Sequence, residues 1–434
     1  MKRVRIACTA IVLIATAVYA QQQFTNNDRA RGRTMLRSIK DEIKKYYYDP
    51  QFHGIDVEAR FATSEKQLEA ATSNGQMFGI IAQTLLDFDD SHLYFQPPPR
   101  QARVEYGWRY QAIGDKVYVT AVKPGSDAAA KGLAVGDVVL KIDSFLPDRA
   151  NAWKLRYLYG QLLPRPGVRM IVQSPDDQPR ELKITADVKQ LKRRVDLTND
   201  ADFWAFVRDL ENEEQLNRHR YYELDDVVIW KMPAFDLEDR DMRGLMKKAS
   251  NRKALILDLR GNPGGSVEVL QKVAGSLFDH DVQIAEVHKR KDIDKMMAKS
   301  WGSSTFTGKL VVLVDSDSAS SSEVLARLVQ LEKRGTVIGD RTAGAVMRSR
   351  QTSLQVGAES IVPYGLSVTD ADVIMSDGKS LEKTGVTPDE IVIPTAKDLA
   401  AGHDPVLARA AKILAVELDA AKAGSMFPIE WPKQ

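Results

Sequence analysis

Short, strongly apolar segments alternate with amphipathic segments between residues 226 and 394, and this alternation restricts the fold more than any other feature. The strand candidates are VVIWKM, ALILDL, KLVVLV and TVIG, and two of the helix candidates are SVEVLQKVAGSLF and SSEVLARLVQLEKRG. Continuous apolar strands separated by helices are typical of a parallel sheet that is covered on both faces. The sequence therefore predicts an α/β core around a largely buried sheet.

Two strand-to-helix junctions in this core have the composition of a reactive site. The first is ALILDLRGNPGGSVEV, in which Gly264 and Gly265 permit backbone angles that are closed to other residues. The second is DSDSASSSEV, where Ser320 lies near the start of a helix with free amides and a favourable dipole. Because ligands bind at the carboxyl ends of strands in such sheets, one amide from each junction could form an oxyanion hole. Each junction alone is more typical of an ordinary turn or helix cap than of a catalytic site.

The whole chain is predicted to be a multidomain α/β protein. Its predicted parts are a signal peptide (1–20), an N-terminal helical region (21–100), a small β-rich domain (101–190), the α/β core (191–397) and a C-terminal helix with its tail (398–434). Apolar residues at helical spacing mark the N-terminal region, and consecutive prolines in FQPPPR end it. DPVLARAAKILAVELDAAKA is predicted to form the single C-terminal helix.

The first twenty residues have the pattern of a secretory signal that is cleaved after Ala20. Their apolar run is shorter than the roughly 20 residues that span a bilayer, which favours a cleaved signal over a membrane anchor. Cleavage would remove three of the positive residues behind the formal charge of +2, leaving about −1, which argues against a nucleic-acid partner. It would also remove Cys8, the only cysteine. We therefore expect a periplasmic or secreted protein without thiol chemistry.

The segment VKPGSDAAAKGLAVGDVVLKID resembles PDZ domains that are attached to bacterial proteases. Such domains bind extended peptide C termini by adding a strand to a sheet edge. The resemblance implies that Tyr106, Gly107, Trp108 and Arg109 form the loop that binds the peptide carboxylate. Trp108 is equally compatible with a place in the domain core.

Four separated motifs, DLRGNPGG, SASSSE, IGDRTAG and EKTGVTPDEIV, together resemble the C-terminal processing (tail-specific) serine peptidases and their tricorn-like relatives. The resemblance covers residues from about 34 to 394, and DSHLYF (90–95) is also similar to the family. It implies that Ser320 is the nucleophile and that the amides of Gly265 and Ser321 are the oxyanion donors. It also implies a peptide or protein substrate with an extended or C-terminal segment. We expect no cofactor, and no metal site because the six histidines lack metal-ligand spacing.

The general base of this family is missing from its usual position. Members with a Ser–Lys dyad carry the lysine in T-F-G-K-G, whereas the matching segment here is TAGAV, with Ala345 in place of the lysine. Tricorn-like members use a histidine on an earlier strand and a late glutamate, and the resemblance implies that these positions match Lys231 and Glu382. A buried lysine with a lowered pKa can act as a base, although a lysine stem often reaches solvent instead. His92 and His288 are further, weaker candidates only if the fold brings them to the site.

Two functions remain open on this basis. The first is a serine endopeptidase that binds peptides through its PDZ-like domain and forms an acyl-enzyme on Ser320. The alternative is a catalytically inactive peptide-binding scaffold or a binder of apolar ligands on the same fold. A compensating base near the Ser320 hydroxyl separates the two hypotheses.

Overall fold

The computed structural model describes residues 24–100, 102–190, 218–357 and 361–431, so the predicted signal peptide with Cys8 lies outside it. Its α-helices are α1 (Asn26–Tyr46), α2 (Val57–Glu69), α3 (Asn74–Leu86), α4 (Asp127–Ala130), α5 (Ala152–Tyr157), α6 (Asp239–Ser250), α7 (Val267–Leu277), α8 (Ser321–Leu331), α9 (Ala396–Ala401), α10 (Pro405–Ile413) and α11 (Ala420–Met426). Its strands are β1 (Tyr94–Gln96), β2 (Ala102–Glu105), β3 (Trp108–Ile113), β4 (Lys116–Val122), β5 (Val138–Ile142), β6 (Gly167–Gln173), β7 (Arg180–Thr185), β8 (Asp187–Gln190), β9 (Arg220–Leu224), β10 (Val227–Lys231), β11 (Ala254–Asp258), β12 (Val282–Lys289), β13 (Ile293–Ala298), β14 (Lys309–Val314), β15 (Thr336–Gly339), β16 (Met347–Val356), β17 (Val362–Met375) and β18 (Glu390–Ile391). None of the helices in these ranges has the length and apolar composition needed to cross a membrane.

The predicted α/β core is confirmed. Its sheet has the strand order β18-β15-β14-β11-β10-β9, in which β9 is antiparallel to β10 and the other neighbours are parallel. Side chains of α7 and α8 cover one face, and side chains of α10 and α11 cover the other. All five residues of β11 are buried, as the continuous apolar run predicts. The carboxyl ends of β11 and β14 therefore lie side by side at one edge.

A second, antiparallel sheet joins the N-terminal helices to this core. Its order is β1-β17-β12-β13, with β16 also paired to β17. The helical region packs on β17 through a cluster that contains Leu36, Phe95 and Leu366. Farther along β17, Val373 and Met375 join the core cluster that contains α7 and α8. The turn that precedes β1 is consequently held close to the core.

The small β domain, residues 102–190, contacts the loop that leads to Ser320. Its main sheet is antiparallel with the order β3-β4-β5-β6-β7. A guanidinium nitrogen of Arg156 lies 2.6 Å from a carboxylate oxygen of Asp317, and the Gln111 amide donates a hydrogen bond of 2.7 Å to Asp315. Both aspartates belong to the DSDSASSS segment, so this domain braces the loop in which Ser320 lies.

The predicted C-terminal helix is wrong as a single element, because it is divided into α10 and α11. The chain turns at Ala415, whose φ of 59° interrupts a right-handed helix. Asp419 then caps the new helix by accepting a hydrogen bond from the Lys422 amide. The turn allows both helices to bury apolar residues against the same face of the sheet.

Candidate active site

The two predicted junctions meet at the carboxyl edge of the parallel sheet. Gly264, in the turn after β11, lies directly against the loop after β14. A Cβ atom at this position would lie 2.7 Å from the Cβ of Ser320 and 3.0 Å from the amide nitrogen of Ser321. The φ of Gly264 is also 99°, so both contact and conformation require glycine. The turn and the serine segment therefore form one site.

Ser320 has a strained backbone at the start of α8. Its φ is 55° and its ψ is −120°, a conformation that is rare for residues with a side chain. Two acceptors hold its amide: the Ala345 carbonyl oxygen at 2.9 Å and a Glu323 carboxylate oxygen at 3.1 Å. Strained strand-to-helix turns of this kind present a nucleophile at the edge of a sheet.

Hydrogen bonding sets the Ser320 hydroxyl apart from its neighbours. The hydroxyls of Ser318 and Ser322 donate to the carbonyl oxygens of Leu259 and Asn262, which fastens the two junctions together. In the described part of the chain, the Ser320 hydroxyl donates no hydrogen bond to a protein acceptor. Of these three hydroxyls, that of Ser320 is therefore the one left for chemistry.

The backbone amides of Gly265 and Ser321 lack acceptors within the described residues. The Ser321 hydroxyl donates to the Gly265 carbonyl oxygen at 3.2 Å, which ties the two residues together. Gly265 has a φ of 141°, and a Cβ atom there would lie 2.5 Å from the Phe235 carbonyl oxygen. Two free amides beside a serine, one of them at the positive end of α8, have the composition of an oxyanion hole.

Glu323 connects the serine loop to the segment that carries Ala345. Its buried carboxylate accepts hydrogen bonds from the Thr342 hydroxyl (2.6 Å) and from the amides of Gly344 (2.8 Å) and Ala345 (3.0 Å), in addition to the Ser320 amide. Burial raises the pKa of Glu323 to about 7, although these donors oppose the shift. The conformation of the Ser320 backbone thus depends on this carboxyl group.

Glu382 is held by the turn that precedes β1. Its two carboxylate oxygens accept hydrogen bonds from the Ser91 amide (2.9 Å) and the Ser91 hydroxyl (2.8 Å). The Ser91 hydroxyl also lies 2.8 Å from Nδ1 of His92. Burial raises the pKa of Glu382 and lowers the pKa of His92. A carboxyl, a hydroxyl and an imidazole are therefore connected in series.

This series reaches Ser320 through two consecutive residues. The Val346 amide donates to Glu382 at 2.9 Å, while the carbonyl oxygen of the preceding Ala345 accepts the Ser320 amide. Glu382 thus links the turn of Ser91 and His92 to the segment that also fixes Ser320. His92 comes from the N-terminal region, where DSHLYF is the sequence signal that marks it.

The structure gives Lys231 a different environment from the one that the sequence suggested. Its ammonium group lies 3.2 Å from a carboxylate oxygen of Asp258 and donates to the Arg260 carbonyl oxygen at 2.5 Å. Arg260 in turn pairs with Asp258 and Asp404. Among the described residues, no hydrogen bond links Lys231 to Ser320, and no group of three potential ligands is arranged to hold a metal ion. Lys231 therefore belongs to the ion-pair network beneath the first junction.

The four residues expected to bind a peptide carboxylate lie at or before the start of β3. The Tyr106 hydroxyl accepts the Arg165 amide, and Gly107 has a φ of 74°. Trp108 is partly buried in the domain. The guanidinium of Arg109 stacks 4.7 Å from the ring centroid of Trp431, in the protein's own C-terminal tail. The role of this loop in peptide binding stays a prediction.

The chain is similar to known peptidases in sequence and in fold. Residues 226–392 match the model of peptidase family S41. The chain is 30% identical to the chloroplastic carboxyl-terminal-processing peptidase 3 of Arabidopsis thaliana over 83% of its own length and 70% of that protein. It is 26% identical to a carboxyl-terminal-processing protease of Picosynechococcus sp. over 64% of its own length, and spans 61% of that relative. The structure of mature CPAF has a TM-score of 0.65 at 15% identity, covering 86% of this chain and 94% of that one, which supports the fold alone.

We predict that Glu323 makes the protein less stable as the pH rises. An exposed glutamic acid has a pKa near 4.5, whereas that of folded Glu323 is about 7, so the folded protein keeps this proton longer than the unfolded chain. The stabilisation is complete below pH 4.5 and is lost by about pH 7, and amounts to about 3 kcal/mol. Thermal unfolding of Glu323→Gln should therefore vary less with pH than that of the parent. The exposed Glu332→Gln is the control, and equal pH dependence in parent and Glu323→Gln would contradict the prediction.

Proposed function

This chain belongs to peptidase family S41, the C-terminal processing serine peptidases, and we infer its function from that membership and from the geometry of the site. The protein is proposed to be a serine endopeptidase in which Ser320 is the nucleophile and His92 is the general base. Ser91 and Glu382 position the histidine, and the amides of Gly265 and Ser321 stabilise the oxyanion. The observation that carries this proposal is the hydrogen-bonded connection from Glu382 through Ser91 to His92.

This connection fixes which imidazole nitrogen can act as a base. A serine hydroxyl has one proton, and the Ser91 hydroxyl donates it to Glu382. Toward His92 the same hydroxyl must then accept, so Nδ1 of His92 carries the imidazole proton. The lone pair is left on Nε2, as proton abstraction from a serine requires. The lowered pKa of His92 keeps the resting imidazole neutral near pH 7.

The reaction follows from this arrangement in two steps. Ser320 Oγ attacks the carbonyl carbon of the scissile bond while Nε2 of His92 takes the hydroxyl proton. The negative oxygen of the tetrahedral intermediate accepts hydrogen bonds from the amides of Gly265 and Ser321. His92 then gives its proton to the leaving amine, and the carbon–nitrogen bond breaks to leave an ester on Ser320. In the second step His92 takes a proton from water as its oxygen attacks the ester carbon, and returns that proton to Ser320 Oγ as the ester bond breaks and a carboxylic acid leaves.

Ala345 does not prevent this chemistry. A lysine at this position would be the base in a Ser–Lys dyad, and alanine cannot accept a proton. His92 supplies the missing group from another part of the chain. For this reason we favour the peptidase over an inactive scaffold or a binder of apolar ligands.

The substrate is proposed to be a peptide or protein with an extended or C-terminal segment. The small β domain captures it, because antiparallel domains of this kind bind extended peptides at a strand edge. Its contacts with Asp315 and Asp317 support this proposal, because they bring the domain to the loop of Ser320. The signal-like first twenty residues lead us to place the enzyme in the periplasm or outside the cell.

Substitutions at three positions test the choice of base. Ser320→Ala should abolish labelling by a fluorophosphonate probe and turnover of fluorescent casein. His92→Ala should lower turnover by about 10³-fold, because general base catalysis is lost. Lys231→Arg keeps a cation beside Asp258 but cannot act as a base, and should retain turnover within about threefold of the parent. Loss of turnover in folded Lys231→Arg together with full activity of His92→Ala would make the lysine the base instead.

A double-mutant cycle tests whether Ser91 and Glu382 act as one unit. Ser91→Ala and Glu382→Gln should each lower kcat by about 10- to 100-fold, because each interrupts the connection to His92. The double variant should be no slower than the slower single variant, since a broken connection cannot be broken again. Steady-state kinetics with casein, alongside thermal unfolding to confirm folding, provides the measurement. If the reduction of kcat in the double variant equals the product of the two single reductions, the two residues act independently.

A further inference from the structure

Asp90 has a set of contacts that the mechanism above does not use. It immediately precedes Ser91 and is only 4% exposed. One carboxylate oxygen accepts hydrogen bonds from the His92 amide (2.8 Å), the Leu93 amide (3.2 Å) and the Thr369 hydroxyl (2.7 Å). The other oxygen accepts the Tyr47 hydroxyl at 2.9 Å. Four donors thus converge on one buried carboxylate.

These donors come from three separate parts of the fold. Tyr47 follows the end of α1, Thr369 lies on β17, and the two amides belong to the turn of Asp90 itself. The backbone of the turn is also attached at Phe88, whose carbonyl oxygen lies 2.9 Å from Nδ1 of His53. The carboxylate therefore fixes the position of the His92 backbone relative to both α1 and the core.

We propose that Asp90 is a positioning residue for His92, because its carboxylate holds the turn that carries the imidazole and its charge stabilises the imidazolium formed during catalysis. This proposal rests on the proposed function, in which His92 takes the proton of Ser320. Glu382 acts on His92 through Ser91, whereas Asp90 acts through the backbone and through space. Two carboxyl groups, those of Glu382 and Asp90, are thus proposed to position His92 in different ways.

The charge of Asp90 opposes the effect of burial on His92. Burial lowers the pKa of His92, and Asp90 raises it again, since a nearby negative charge favours the imidazolium. Removal of that charge should therefore lower the pKa of His92 further. The titratable groups on which the charge of Asp90 acts are Tyr47, Tyr48, His92 and Glu382. Lys383 pairs with Asp89 at 2.7 Å, and its ammonium group also lies 3.9 Å from a carboxylate oxygen of Glu382.

Two substitutions separate the geometric task from the electrostatic one. Asp90→Asn keeps an oxygen acceptor for the turn but removes the charge, so the acid limb of the kcat/KM profile with casein should move to lower pH. The direction follows because His92 must be neutral to act as a base and would stay neutral at lower pH. Asp90→Ala also removes the acceptor, and should lower kcat by about 100-fold with little change in KM, because His92 is misplaced.

The neighbouring Asp89→Asn is the matched control, since that carboxylate is 79% exposed, and it should leave the pH profile unchanged. An unshifted acid limb in Asp90→Asn would overturn the electrostatic part of the proposal. Unchanged kcat in folded Asp90→Ala would overturn the positioning part. If Asp90→Ala does not fold, the Thr369→Val and Tyr47→Phe variants replace it. Parental kcat in both of those variants would then overturn the positioning part. His92→Ala separates the two proposals, because full turnover there refutes the proposed function itself. The role of Asp90 alone would be refuted by three results together. These are loss of turnover in His92→Ala, a parental pH profile in Asp90→Asn and parental kcat in Asp90→Ala.

Discussion

The carboxyl group of Glu382 joins the parts of the chain on which the candidate site depends. It receives two hydrogen bonds from Ser91 and one from Val346. Ser91 belongs to the N-terminal region, and Val346 follows the residue whose carbonyl oxygen holds the Ser320 amide. Three donors of this kind favour the ionised carboxylate and oppose the burial that raises the pKa of Glu382. Without Glu382, the turn with His92 and the loop with Ser320 would lose their shared anchor.

The rest of the site is built from backbone that few sequences can adopt. Gly264 and Gly265 approach the serine loop and Phe235 so closely that a side chain does not fit at either position. Ser320 keeps a left-handed φ because Glu323 and Ala345 hold its amide. The strain at the nucleophile is therefore supported by buried hydrogen bonds, which is how folded proteins maintain such conformations. Ala345 contributes through its backbone, although its side chain cannot do the chemistry of a lysine.

Local patterns predicted the core well, while the proposed base depends on contacts that local patterns do not contain. The buried strands and the two junctions are visible because each is encoded within about ten residues. The contact between Ser91 and Glu382 spans 291 residues, so spacing gives no information about it. The apolar strand around Lys231 suggested a buried base, but Asp258 and Arg260 engage its ammonium group. DSHLYF marked the turn that carries the proposed base, and the pairing of β1 with β17 helps to hold that turn at the site.

The most direct test of this account is a crystal structure of the fluorophosphonate adduct on Ser320. We predict that the phosphoryl oxygen accepts hydrogen bonds from the amides of Gly265 and Ser321, and that Nε2 of His92 lies within hydrogen-bond distance of Ser320 Oγ. An adduct whose oxygen points away from these amides, or whose nearest basic side chain is Lys231, would contradict the account.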